Sequence, residues 1–197
     1  MNNIELKDML DKHKEWLKDN SKGKRFVLKS SADLSYADLR SADLRSADLS
    51  SADLSYANLR SANLHSADLS EIKKDFFVKL LMAKSEVKGL FDYLQKGKVD
   101  GTSYEGDCAC FVGTISKIAN ESYENLSCGL KPESYSPIER WFLAILKGDT
   151  PSSNQVSRIT CQWISEFCKE HGISLPQYKI VSSDECPEAF TKVDGLV

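Results

Sequence analysis

The 197-residue sequence lacks any long hydrophobic stretch: its longest uninterrupted apolar run is Trp141 to Leu146, far short of the roughly 20 residues that cross a bilayer. No membrane span is expected. An apolar h-region is missing from the opening MNNIELKDMLDKHKEWLKD, which alternates charge instead, so no secretory signal is read there and a cytoplasmic location is expected. In that setting the six cysteines read as reduced thiols, not a disulfide framework, and the sequons at Asn120 and Asn125 as unglycosylated. A strongly basic field is also absent. Residues 1–30 hold eight Lys/Arg against five Asp/Glu, residues 31–70 three against six, and the rest fifteen against eighteen, so direct nucleic-acid binding is not expected. With three histidines and no P-loop, Rossmann glycine fingerprint, nucleophile elbow or HExxH, no catalytic residue and no cofactor is assigned. The chain reads as non-enzymatic.

What is present is repetition. Residues 31–50 read SADLSYADLRSADLRSADLS and residues 51–70 read SADLSYANLRSANLHSADLS. Within each block a unit of Ala, then Asp or Asn, then Leu, then two small or polar residues recurs every five positions, from Ala32 to Ser70. Five matches neither the 3.6 of a helix nor the alternation of a strand. Ala and Leu, two apart on an extended segment, face the same way, so both are expected inside and Asp/Asn outside. The period of 20 places Leu34 over Leu54, Leu39 over Leu59, Leu44 over Leu64 and Leu49 over Leu69. The three changes between the blocks are Asp38 to Asn58, Asp43 to Asn63 and Arg45 to His65. Each removes a charge that would stack on its like.

These units resemble the pentapeptide-repeat family, whose pattern A(D/N)LXX all eight follow. The resemblance implies a short right-handed quadrilateral parallel β-helix of about two coils over residues 25–72, with an irregular leading rung through Phe26, Val27 and Leu28. A solenoid this short must cover its ends. Ile4, Leu6, Leu10, Trp16 and Leu17 suit an amphipathic helix, read as a cap within residues 1–24.

Residues 73–197 read as a mostly α-helical domain, making the fold class mixed. Residues 75–83 are apolar and fit a strand or a helix equally. Ser85 is placed to cap a helix through Gln95, Asp107 a second through Ala119, and Ser136 with Pro137 a third running to Gly148. A fourth spans residues 153–171, and a short strand is conceivable at 178–181. The stretches VDGTSYEGDCACFVGT (99–114) and ERWFLAILKGDTP (139–151) resemble segments of uncharacterised bacterial and phage proteins.

Two sets of candidate residues emerge. Tyr36, Tyr56, Arg40 and Arg60 cluster at one corner of the stacked repeats, with Arg45 and His65 on the adjoining side. They read either as an aromatic ladder that stabilises stacking or as a binding patch. Cys108 and Cys110 sit where a helix N-terminus would lower a thiol pKa; with Cys168 and His171 they are the weak candidates for a zinc site. The plain alternative is buried structural cysteine. His13 and His65 read as surface residues.

The leading expectation is a protein-interaction or regulatory protein of bacterial or phage origin, its partner a host or phage protein. Solenoid ends often pair, so a homodimer is compatible. Alternatives are a phage-encoded inhibitor of a host enzyme or defence system, and a cysteine- or zinc-dependent enzyme in the C-terminal part. DNA-mimic inhibition of a topoisomerase, which the family resemblance implies for long acidic rods, fits poorly. Two rungs span only about 10 Å, and arginines interrupt the acidic faces.

Overall fold

The computed structural model describes residues 2–28, 33–50, 52–54, 57–59, 61–101, 111–133 and 136–176. Among the described residues are six α-helices: α1 Asn3–Lys18, α2 Ser70–Met82, α3 Val87–Gln95, α4 Phe111–Ala119, α5 Pro137–Phe142 and α6 Gln155–Glu170. No β-strand or sheet occurs among them. The expected parallel β-helix over 25–72 is therefore corrected. The repeats pair only through isolated parallel bridges: Asp33 with Asp53, Asp38 with Asn58, Asp43 with Asn63 and Asp48 with Asp68.

The five-residue unit explains why no strand forms. In each unit the Ala amide of the next donates to the Leu carbonyl three residues back, at 2.9 to 3.1 Å from Ala37 to Ala67, closing a four-residue turn. Four of every five residues are thus spent on turning, and only Asp or Asn remains to bridge. That is well below the usual strand length. The third turn residue takes the left-handed conformation, with φ of 56° to 59° at Tyr36, Ser41, Ser46, Ser61 and Ser66.

Burial follows the repeat. All eight Leu side chains from Leu34 to Leu69 are buried, as are Ala37, Ala47, Ala57 and Ala62. The Asp/Asn side chain does more than face water. Its Oδ1 accepts the backbone N–H two residues on at Asp33, Asp38, Asp43, Asp48, Asn63 and Asp68, over 2.8 to 3.3 Å. This is the Asx-turn, and it needs an oxygen acceptor, not a charge. Asp48→Asn is accordingly expected to stay within about 0.5 kcal/mol of the parent, whereas Asp48→Ala loses about 1 kcal/mol. Urea unfolding midpoints of the two variants measure this directly.

Charge in the repeats is paired locally. Arg40 lies 2.6 Å from Asp38 and Arg45 2.7 Å from Asp43, so the change from Asp43/Arg45 to Asn63/His65 removes both members of an ion pair at once. Asp33 over Asp53, like Asp48 over Asp68, is a stacked pair that the sequence leaves unrelieved. Arg140 of α5 meets it, 3.1 Å from Asp53. Asp33 itself is held below the usual carboxylate range by the Ser35 hydrogen bonds first, with a smaller contribution from Arg140.

Both ends of the repeat block are covered. Before it, α1 starts in a capping box in which Asn2 accepts from Glu5 N at 2.8 Å and Glu5 from Asn2 N at 3.2 Å. Its inner face is Leu6, Met9, Leu10 and His13; Ile4, counted in the apolar face from sequence, is 82% exposed. The chain then doubles back at Gly23, whose φ is 64° and whose added Cβ would stand 2.1 Å from the Lys12 carbonyl, so only glycine fits there. Residues 26–28 stack on the fourth repeat unit through Val27 and Asp48, with Asp48 N donating to Phe26 O and Leu28 N to Asp48 O. After the block, Leu69 leads straight into α2, and Gln155 of α6 accepts from Leu64 N at 3.2 Å.

The helices beyond the repeats share an aromatic core. Phe76 of α2 stands 5.6 Å from Phe111, 6.2 Å from Phe142 and 6.3 Å from Trp163, ring centroid to ring centroid, so one ring joins α2, α4, α5 and α6. Trp141 stacks on Trp163 at 5.4 Å, and its indole N–H donates to Thr160 Oγ1. Residues 75–82 of the stretch open to either reading in sequence belong to α2, and Ala83 is its C-cap. The helix at Ser136 is shorter than expected and ends at Phe142. Its continuation is pre-empted by other partners: Asp149 accepts from Leu146 N, Asn154 donates to Ala144 O, and Gly101 N donates to Ile145 O. Asn154 also caps α6 by accepting from Ser157 N at 3.0 Å.

Candidate functional site

The repeat corner is built on turns. Tyr36 occupies the third turn position, at φ 59°, and is 74% exposed. At the same position the other described turns with this conformation carry serine. Arg40, in the next turn, is held by a bidentate contact in which Nε and Nη2 donate to the two Asp38 oxygens at 2.8 and 2.6 Å. Arg45 makes the same fork to Asp43, and His65 is exposed. Tyr56 and Arg60 lie outside the described residues. The described residues of this set are an exposed aromatic in one turn and, in the turns that follow, two guanidinium groups fixed by their own Asp neighbours.

His13 does not sit on the surface, as the sequence reading had it. It is fully buried between α1 and the repeats, one helical turn from Leu10 and from Trp16, with which its ring stacks at 5.6 Å. Its Nδ1 accepts from Phe26 N at 2.9 Å and its Nε2 faces Arg45 O at 3.1 Å. The two partners fix the tautomer: the proton is on Nε2, donated to the carbonyl. Desolvation, partly offset by the Arg45 carbonyl and Asp43, pulls its pKa below the ordinary histidine value.

A second cluster gave no signal in sequence. Glu139 of α5 is 3% exposed, and its carboxylate accepts from Phe111 N at 2.8 Å and Val112 N at 3.3 Å, the first two amides of α4. Asp75 of α2 accepts in turn from Ile138 N at 3.0 Å and Ser136 Oγ at 2.5 Å at the start of α5. Lys79, nearly buried, lies 2.9 Å from Glu133 and 3.8 Å from Asp75. Burial pushes the Glu139 pKa up to about 7, against the pull of the two amides and of Lys79 and with a further push from Asp75. Ser136-Pro-Ile-Glu139 has the spacing of a local capping box, which disguised the arrangement. Ser136 makes no side-chain cap on its own helix, and Glu139 reaches a different one. With both oxygens engaged by amides, Glu139 holds α4 in place and can bind a proton near neutral pH.

Cys108 and Cys110 lie outside the described residues. Cys168 is buried, with its thiol pKa raised by desolvation. His171 stacks on Phe167 at 4.1 Å, and its Nδ1 lies 2.8 Å from the Phe167 carbonyl. Among the described residues no three His, Cys, Asp or Glu side chains are grouped to hold a metal ion, and no helix is long and apolar enough to cross a membrane.

Residues 30–71 match the sequence model of the family Pentapeptide repeats, in 8 copies. No match to the chain was found among curated proteins or among solved structures. The match covers the repeat block and suggests a protein-interaction scaffold.

Proposed function

We propose that the chain is a non-enzymatic protein-binding scaffold of bacterial or phage origin, which presents the Tyr36/Arg40/Arg45/His65 corner to a host or phage protein. The observation that carries this reading is Tyr36. A left-handed backbone conformation costs a bulky residue of order 1 kcal/mol, and at 74% exposure Tyr36 recovers little of that by burial. Serine serves at the same place in four other turns. A large aromatic kept there, with arginines in the turns that follow, has the composition of an interface hot spot. Family members that imitate DNA need an uninterrupted acidic face, and here Asp38 and Asp43 are neutralised by Arg40 and Arg45.

The test uses the full chain, the Tyr36→Ser variant, which adopts the residue of the other turns, and Arg40→Ala. Proteins retained by the parent from bacterial lysate are identified, purified and titrated against all three. The expected result is a stoichiometric partner whose affinity falls about tenfold or more in both variants while their unfolding midpoints stay near the parent's. Equal affinity of all three, or no partner at all, would overturn the reading.

A further inference from the structure

Among the buried titratable groups, His13 alone joins two parts of the chain through both of its ring nitrogens. Nδ1 takes the Phe26 amide proton while Nε2 gives its own proton to the Arg45 carbonyl, and the ring is shut from water. Only a neutral imidazole satisfies both partners. A protonated ring would point a second N–H at the Phe26 N–H, with no acceptor between them and a charge in an apolar setting. The ring is packed between Trp16 of α1 and Phe26.

We infer that the junction between α1 and the repeats is a pH-operated clasp, closed while His13 is neutral and opened by its protonation. The charged groups that face it act in both directions: Asp43 of the repeats favours the proton, whereas Arg25 of the return segment and Arg45 of the repeats oppose it. Desolvation outweighs them and lowers the folded-state pKa, so docking and protonation exclude each other below the ordinary value. What else holds the junction is modest and local. Lys24 N donates to Lys12 O, Arg25 Nε donates to Ser46 O, and Leu6, Met9 and Leu10 lie against the core. Opening frees α1 while leaving the Asp/Asn bridges and Leu stack of the repeats in place, because none of those bonds involves the imidazole. The open groove lined by Trp16, Leu17, Lys18, Asp19, Asn20 and Ser46 lies on this same junction and changes shape with it.

Hydrogen exchange on the full chain tests the clasp. After correction for intrinsic rates, protection of the α1 amides should fall about thirtyfold between pH 7.5 and pH 5.0, the ratio for a group of ordinary pKa that must lose its proton to dock. Protection of α6 should not fall, because protonation of Glu139 strengthens the helical region over the same range. In His13→Gln, the amide side chain offers one acceptor and one donor with no titration, and α1 protection should be independent of pH. Should that variant fail to fold, nitrogen NMR of the parent's imidazoles decides instead. An unprotonated Nδ1 at pH 7.5, with a midpoint coinciding with α1 release, supports the clasp; a protonated Nδ1 or a separate midpoint overturns it. Flat α1 protection in the parent, simultaneous loss in α1 and α6, or an undiminished pH effect in a folded His13→Gln would also overturn it.

Discussion

Phe76→Ala is expected to lower the free energy of unfolding by about 3–5 kcal/mol, the range for removing a fully buried phenylalanine ring. The upper part of that range applies because the ring is 0% exposed and its three aromatic neighbours come from three different helices. A cavity surrounded by rigid rings on separate elements collapses poorly, so the residual void persists. Phe76→Leu keeps most of the volume and should lose roughly half as much. Chemical denaturation gives both numbers, and near-UV circular dichroism of the tryptophans reports the loss of packing around Trp163. A loss below about 1.5 kcal/mol for the alanine variant would show that α2 does not organise the helical core as described.

Glu139 provides the second large effect, and its sign is unusual for a carboxylate. Because burial raises its folded-state pKa from 4.5 to about 7, the folded chain binds the proton more tightly than the unfolded one. The stability associated with this group is full below pH 4.5 and is lost as pH rises through 7. Between pH 5 and pH 8 the parent should lose about 2–3 kcal/mol relative to Glu139→Gln, which does not titrate there. The comparison is made as a difference between the two proteins so that other titrating groups cancel. His13 is among these, and it contributes in the opposite sense: its stability is present above 6.5 and lost as pH falls toward its lowered folded-state value. Urea unfolding of both proteins at half-unit pH steps measures the difference, and parallel curves would show that Glu139 is not the buried titrating group the structure makes it.

The Leu and Ala positions of the repeats were legible because a strict five-residue period leaves one way to place them, and the stacking of Leu34 on Leu54 follows from the 20-residue spacing. Among the described residues the expected strand is absent, since the family resemblance describes the path of the chain and says little about how few residues per side pair. The role of Asp/Asn was half visible. Its exposure followed from alternation, but its bond to the amide two residues on depends on turn geometry. His13 was misread because a histidine flanked by lysines looks solvated, although its spacing from Leu10 and Trp16 puts it on the inner face. The length of α5 and the partners of Glu139 were hidden for a different reason. Both are settled by groups distant in sequence, Asp149 and Asn154 in the first case and the amides of Phe111 and Val112 in the second, and local propensity carries no trace of them.

The carboxylates of Asp75 and Glu139 link helices in series, each supplying the acceptor for the first amides of the next. Neither α4 nor α5, at nine and six residues, is long enough to persist alone in water. Excised as peptides they should be coil. Ordering then runs outward from α2, with α5 secured by Asp75 and α4 by Glu139, so that a change at Asp75 is felt first at α5 and through it at α4. Such serial dependence makes the helical region a single cooperative unit, in which partial unfolding begins at α4, the last member to be secured.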